Sequence, residues 1–320
     1  MTMADVLCIG DLDVDMFVDI PAMPGFDQKV TGRNHGLRPG GMAANAAVAV
    51  ARFGCSSRLV AAVGDDPAGA FAVQEIARDG VDLNHLIYLP GTATFMCLVL
   101  LSPSGEKSLI RLGTDAYLPN AADMDERAFL GVRHVHITYG SPELSLQALR
   151  MADRHRLSTS LDLEAADVVG DPEVLGTVLS LVDTLFLSEA ALVAASQAMG
   201  QLLKVTHLRA GGEMIVTAGR KGCRRVTKDS TTQMPAFPVS PIDTTGAGDC
   251  FSGTYIACRL AGGGPVDCLQ IASAAAAMAT LGHGAQSAMP HRADVDRFLC
   301  QHHKNTAPCH DPDANGARHA

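Results

Sequence analysis

Val6-Leu-Cys-Ile9 is a short apolar run with the length of a buried strand rather than a helix. Beyond it, Gly10-Asp-Leu-Asp-Val-Asp15 alternates acids with Leu12 and Val14. In an extended chain that alternation places Asp11, Asp13 and Asp15 on one face. Pro21 to Pro24 reads as a turn and Lys29 to Leu37 as a polar strand. Gly40-Gly41 then opens a helix of small residues that Gly54 stops. Arg58 to Val63 reads as a strand, and Gly64-Asp-Asp-Pro67 leads into a helix over Ala68 to Asp79. Thr92 to Leu101 and Lys107 to Leu112, joined by Ser102-Pro-Ser-Gly-Glu106, predict a hairpin by run length and turn chemistry. With residues near 12–20 and 28–38 it would form a small sheet apart from the main one, suited to a lid that excludes water.

From residue 133 the pattern becomes regular. Strands at His134–Thr138, Ser158–Leu163, Thr184–Leu187 and Glu213–Thr217 alternate with helical patterns at Glu143–His155, Ser188–Met199 and Leu202–Ala210. Alternation of this kind implies an α/β fold, with a mostly parallel sheet flanked by helices. An apolar segment from Thr254 to Leu260 is of helical length, an Ala-rich helix runs to Leu281, and Asp294–Cys300 closes the pattern. One domain over 1–301 is expected, with the polar segment 302–320 a disordered tail.

Composition narrows the class. The chain has 320 residues, 47% of them hydrophobic, enough for a sizeable core. A net charge of −9 and the lack of a long basic run argue against nucleic acid as a partner, and the absence of Trp argues against a stacking surface for single strands. Nine cysteines without a C-x-x-C pair, most of them in apolar runs, read as reduced core thiols. The first strand begins too early to leave room for a signal peptide, and no apolar stretch reaches membrane-spanning length. A cytoplasmic protein without a membrane partner is therefore expected.

The stretch Ile242-Asp-Thr-Thr-Gly-Ala-Gly-Asp-Cys-Phe-Ser-Gly253 carries the chemistry. Gly246, Ala247 and Gly248 have little or no side chain, so their N–H groups can converge on an anion ahead of a helix. Asp249 at the mouth of that cradle either caps the helix or takes a proton from an attacking hydroxyl. Asn45, one turn into the small-residue helix, is an odd core choice; its amide can donate to and accept from a hydroxyl. The acids at 11, 13 and 15 fit either a ligand site at a strand's carboxyl end or a solvated strand edge. Val216-Thr-Ala-Gly-Arg-Lys-Gly222 reads equally as a nucleotide loop and as a solvated turn, and Gly282-His-Gly-Ala285 as a loop that borders an adenine. His134 and His136 lack a third ligand for a metal. There is no Walker-type G-x-x-x-x-G-K-[ST], no G-x-G-x-x-G and no H-E-x-x-H.

Two motifs about 200 residues apart, Asp243-Thr-Thr-Gly-Ala-Gly-Asp-Cys-Phe-Ser-Gly253 and Gly40-Gly-Met-Ala-Ala-Asn45, make the chain resemble the ribokinase-like (PfkB) carbohydrate kinases over residues 5 to 300. The resemblance implies a doubly wound α/β domain with a small β-sheet lid that doubles as a homodimer clasp. It implies ATP-dependent phosphorylation of a hydroxyl, favoured as primary, on a sugar or sugar-like molecule. Asp249 would be the general base and the 246–248 amides the anion hole. Asp13, Asp15, Gly40, Gly41 and Asn45 would meet the sugar. ATP would lie across Ser188, Thr217, Gly219, Gly222, Gly282 and Gly284. Mg²⁺ is implied near Glu189, and a monovalent cation such as K⁺ near Asp243. The family's Asn-x-x-Glu is here Ser188-Glu-Ala-Ala191, a departure that bears on the metal ligands. Resemblance to a subgroup further points to Lys29 and Arg111 on lid strands over the sugar, where cations would favour an anionic group; solvated strand charges are the alternative. A nucleoside kinase of the same fold and a non-catalytic sugar sensor are the competing functions.

Overall fold

In the computed structural model, which describes residues 3–103, 107–168 and 171–306, the buried run β1 (Val6–Gly10) leads at once into a second sheet. There β2 (Asp13–Asp19) pairs antiparallel with β3 (Arg33–Gly40). Gly41 then holds a left-handed φ of 94° and turns the chain into α1 (Met42–Arg52). A Cβ at Gly41 would lie 2.6 Å from the Asp11 carbonyl oxygen, so the close approach of the two segments requires glycine. The chain continues through β4 (Ser57–Gly64), α2 (Pro67–Ala77) and β5 (Ile87–Leu89) to the hairpin β6 (Met96–Leu101) and β7 (Lys107–Leu112).

The second half alternates strand and helix. The order is β8 (His134–Thr138), α3 (Pro142–Arg154), β9 (Ser158–Leu163), α4 (Pro172–Leu179), β10 (Thr184–Ser188), α5 (Glu189–Ala198) and β11 (Glu213–Thr217). An antiparallel pair, β12 (Cys223–Val226) and β13 (Thr231–Met234), precedes α6 (Ala247–Leu260), α7 (Pro265–Ala279) and α8 (Arg292–Thr306).

Nine strands form the main sheet in the order β13-β12-β11-β10-β9-β8-β1-β4-β5, parallel from β11 to β5. Its central strands, such as β1 and β4, are buried on both faces, as the apolar runs require. One core packs α1, α6 and α7 on one face, and another packs α3, α4 and α5 on the other. The small sheet runs β3-β2-β6-β7 and is mixed, because β2 and β6 pair in parallel.

Several sequence boundaries change. The lid strands are 13–19, 33–40, 96–101 and 107–112 rather than 12–20, 28–38 and 92–112. Lys29 therefore falls outside any strand. The helix expected at Leu202–Ala210 is only a 3₁₀ turn, Val205–His207. The last helix runs past position 301 to Thr306, and the rest of the expected tail, 307–320, lies outside the described residues, as does part of the hairpin turn, 104–106. Among the described residues no helix is long and apolar enough to cross a membrane. Seven of the eight cysteines described are buried or half-buried thiols; Cys300 is exposed. His134 and His136 are buried and held by the hydroxyls of Ser158 and Ser160 at 2.7–2.8 Å, a core role rather than a metal one.

Candidate active site

The α6 helix begins at Ala247, two residues before Asp249. Gly246 is its N-cap, in the left-handed region at φ 74°, and offers no side chain to the first-turn N–H groups. A Cβ there would meet the Ala285 Cβ at 2.6 Å, whereas one on Gly248 would meet nothing within 4 Å. The cradle thus leans on the 282–285 loop and opens beside Gly248, where unpaired helix N–H groups and the helix dipole favour an anion.

Asp249 does not cap the helix. Its Oδ2 accepts a hydrogen bond from Asn45 Nδ2 at 2.8 Å, and both residues are buried. The contact exists because α1 and α6 pack through small residues: a Cβ on Gly253 would lie 2.6 Å from the Ala46 carbonyl oxygen and 2.7 Å from the Ala49 Cβ. The alanines of α1 therefore set the distance at which Asn45 reaches Asp249. Burial raises the Asp249 pKa well above the ordinary carboxylate range; Asp162, Glu164 and Asp11 add to the rise, and the Asn45 hydrogen bond opposes it.

Asp13 lies near enough to Asp249 to feel its charge, and Asp15 lies beside Asp13. Gly40 is the cross-strand partner of Asp13, and a Cβ on it would fall 2.2 Å from Asp13 Oδ1 and 2.9 Å from Asp15 Oδ2. Asp13 is raised by burial and by neighbouring carboxylates, Asp15 foremost. Asp15 is raised to about 6 by burial, against the pull of Lys107. Among the described residues, the buried atoms without a hydrogen-bond partner include the acceptors Asp13 Oδ1 and Asn45 Oδ1. Buried polar atoms seldom remain unpaired, and acceptors left free here suit the hydroxyls of a ligand.

The other expected positions divide. Ser188 and Thr217 are register partners at the carboxyl ends of β10 and β11, with Gly219 and Gly222 in the turn that follows. Gly284 donates its N–H to Asp243 Oδ2 at 2.9 Å, which ties the 282–284 loop to the cradle. Ser188 Oγ, however, caps α5 by accepting from Ala191 N, and Glu189 is half-exposed in an ion pair with Arg224 at 3.1 Å. Glu189 is thus taken up by a protein cation. Asp243 accepts from Thr245 N, Thr245 Oγ1 and Gly284 N, and Lys107 Nζ lies 3.8 Å away. Its carboxylate organises the loop, and the residues do not fit a further cation there.

Lys29 corrects the expectation made for it: it is exposed in the loop before β3, on no lid strand. Arg111 does face the acids, and its charge lowers the pKa of Asp13. Its guanidinium is nevertheless 3.5 Å from Asp167 and lies over the Tyr117 ring at 4.5 Å.

Sequence reasoning passed over Asp162, Glu164, Asp167, Lys107 and Arg38. Asp162, near the carboxyl end of β9, is raised to about 7 by burial and Glu164. Lys107 donates to Thr245 Oγ1 at 2.7 Å, joining the lid to the cradle. Its four-residue spacing from Arg111 on one strand was the available signal, since period-two alternation puts both on one face.

The model of the pfkB family carbohydrate kinases matches residues 3–292. A fructokinase of Klebsiella pneumoniae is 30% identical over 284 residues, covering 82% of this chain and 92% of its own. An ATP-dependent ribose-1-phosphate kinase of Halopiger xanaduensis is 29% identical over 306 residues, covering 93% and 99%. Among solved structures, an E. coli protein described as a ribokinase II, in complex with ATP and Mg²⁺, superimposes with a TM-score of 0.82 at 25% identity, covering 94% of this chain and all of its own.

Proposed function

Because this chain belongs to the pfkB family of carbohydrate kinases, phosphotransferases that act on hydroxyl groups, we propose that it transfers the terminal phosphoryl group of ATP to a hydroxyl, favoured as primary, of a sugar or sugar derivative. The observation that carries the reading is the Asn45–Asp249 hydrogen bond at 2.8 Å. It joins the hydroxyl-binding motif to the carboxylate at the anion cradle, beside two unpartnered acceptors. In this reading Asp13 and Asn45 orient the sugar. Asp249 accepts the proton of the attacking hydroxyl as its oxygen bonds to phosphorus and the bond to ADP breaks. The N–H groups of Gly246, Ala247 and Gly248 balance charge on the transferring group.

Ser188, Thr217, Gly219, Gly222, Gly282 and Gly284 would hold ATP at the strand ends, where open parallel sheets bind ligands. Mg²⁺ would supply charge neutralisation at the phosphates, resting on their oxygens and on water rather than on Glu189. Exposed Leu109, Ile110 and Leu112 on the edge strand β7 support a homodimer clasped through the lid, which sedimentation would register as twice the chain mass.

ADP release measured across pentoses, hexoses, ketoses, sugar acids and nucleosides tests the reading. A sugar is expected to release ADP with wild type, and Asp249→Asn to lower that rate by about 10³-fold or more with ATP affinity retained. Nucleosides as the only acceptors, no acceptor at all, or an active Asp249→Asn would overturn it.

A further inference from the structure

Arg38 occupies the edge strand β3 directly opposite Asp15 on β2. Asp15 in turn faces Cys97 on β6, and Cys97 faces Arg111 on β7. Residues paired across strands share a face. The rung Arg38–Asp15–Cys97–Arg111 therefore spans the lid on the side that carries the substrate-facing acids. Of its two cations, Arg111 is held by Asp167 and Tyr117. Arg38 has no ion-pair partner among the described residues, and its Nε is buried without a hydrogen bond. The Asp15 carboxyl feels the charge of Lys107. One side of the Arg38 guanidinium rests over the Phe17 ring at 5.6 Å. The side chain then crosses onto the 282–287 loop, where a Cβ on Gly284 would stand 2.4 Å from Arg38 Cδ and 3.3 Å from Nε. That glycine is the one whose N–H is fixed by Asp243, and its neighbour Ala285 supports Gly246 of the cradle. An unpaired buried guanidinium nitrogen is costly unless an anion meets it, and the adjoining cradle is built for an anion. The sequence has no P-loop lysine to supply a positive charge there.

We propose that Arg38 is a catalytic residue that reaches from the lid to the transferring phosphoryl group and neutralises its oxygens as the hydroxyl oxygen bonds to phosphorus and ADP departs. This rests on the kinase reading above. It also gives lid closure a chemical consequence, because the charge arrives only when β3 lies over the 282–287 loop.

The test is calorimetric binding of Mg²⁺–ADP with and without aluminium fluoride, which mimics the phosphoryl group in flight, on wild type, Arg38→Gln and Arg38→Lys. Wild type is expected to bind ADP at least about tenfold more tightly with aluminium fluoride present. Arg38→Gln should lose that gain while binding ADP alone as before, and Arg38→Lys should keep part of it. Where a sugar is turned over, kcat of Arg38→Gln should fall about 100-fold with the sugar KM within about threefold of wild type. Unchanged thermal midpoints establish that the variants fold; a collapsed Arg38→Gln leaves Arg38→Lys and the wild-type gain to decide. A gain kept in full by Arg38→Gln, or by Arg38→Lys no better than the glutamine, overturns the inference, as does a wild type that binds ADP without any gain. A wild type that binds no nucleotide overturns the kinase reading itself.

Discussion

Asn45 Nδ2 donates to Asp249 Oδ2 at 2.8 Å across a sequence separation of 204, and both side chains are buried. Burial and the neighbouring acids raise the pKa of that carboxylate and so disfavour its charged form. The Asn45 amide opposes that rise by hydrogen-bonding the charged form.

The pH profile should report this pairing. As the proposed base Asp249 would act in its ionised form, and burial raises its pKa. The rate with a sugar should therefore fall on acidification through an apparent pKa above the ordinary carboxylate range. Asn45→Ala removes an interaction that lowers that pKa, so the acid limb should move to higher pH, and the sugar KM should rise by about tenfold. A limb that stays in place in kcat/KM profiles from pH 4 to 9 would remove Asn45 from this role.

Gly40→Ala tests the floor beneath Asp13 and Asp15. The added methyl would stand 2.2 Å from Asp13 Oδ1, so the carboxylates must move. Misplacement of about 1 Å in a positioning group costs about 100-fold in kcat/KM. Circular dichroism should show the fold retained, and nucleotide binding should be unchanged.

Lys107 latches the lid to the cradle through Thr245, yet its side chain is 36% exposed. A partly solvated contact of this kind is worth about 1 kcal/mol or less. Lys107→Met should raise the sugar KM by about threefold and weaken the salt dependence of kcat/KM, read in steady-state assays from 20 to 500 mM NaCl. An unaltered salt slope would show that the latch does not govern closure.

Arg111 is neutralised by Asp167, which argues against an anionic sugar as the preferred substrate. Asp167→Ala should free the guanidinium and shift the ratio of kcat/KM values toward phosphorylated or carboxylated sugars by about tenfold. Competition between a neutral sugar and its acid measures the ratio directly, and a ratio unmoved by the substitution would reject the assignment.

The alternation of strands and helices after residue 133, the hairpin near 92–112, and the two motifs at Gly40–Asn45 and Asp243–Gly253 were legible in the chain, because each depends on local periodicity, turn chemistry and small side chains. The acids at 13 and 15 could likewise be placed on one face. What no local pattern carries is pairing between distant segments. Parallel contact of β2 with β6 aligns Arg38, Asp15, Cys97 and Arg111 in one rung, and the start of β3 at Arg33 puts Lys29 outside it. Partners chosen across the fold decided the charged residues in the same way: Arg224 takes Glu189, Asp167 takes Arg111, and Arg38 Nε is left without a hydrogen bond beside Gly284. The reason is physical. Helix and strand follow from a residue's near neighbours, whereas the charge a side chain meets depends on register and packing between elements that only the folded chain brings together.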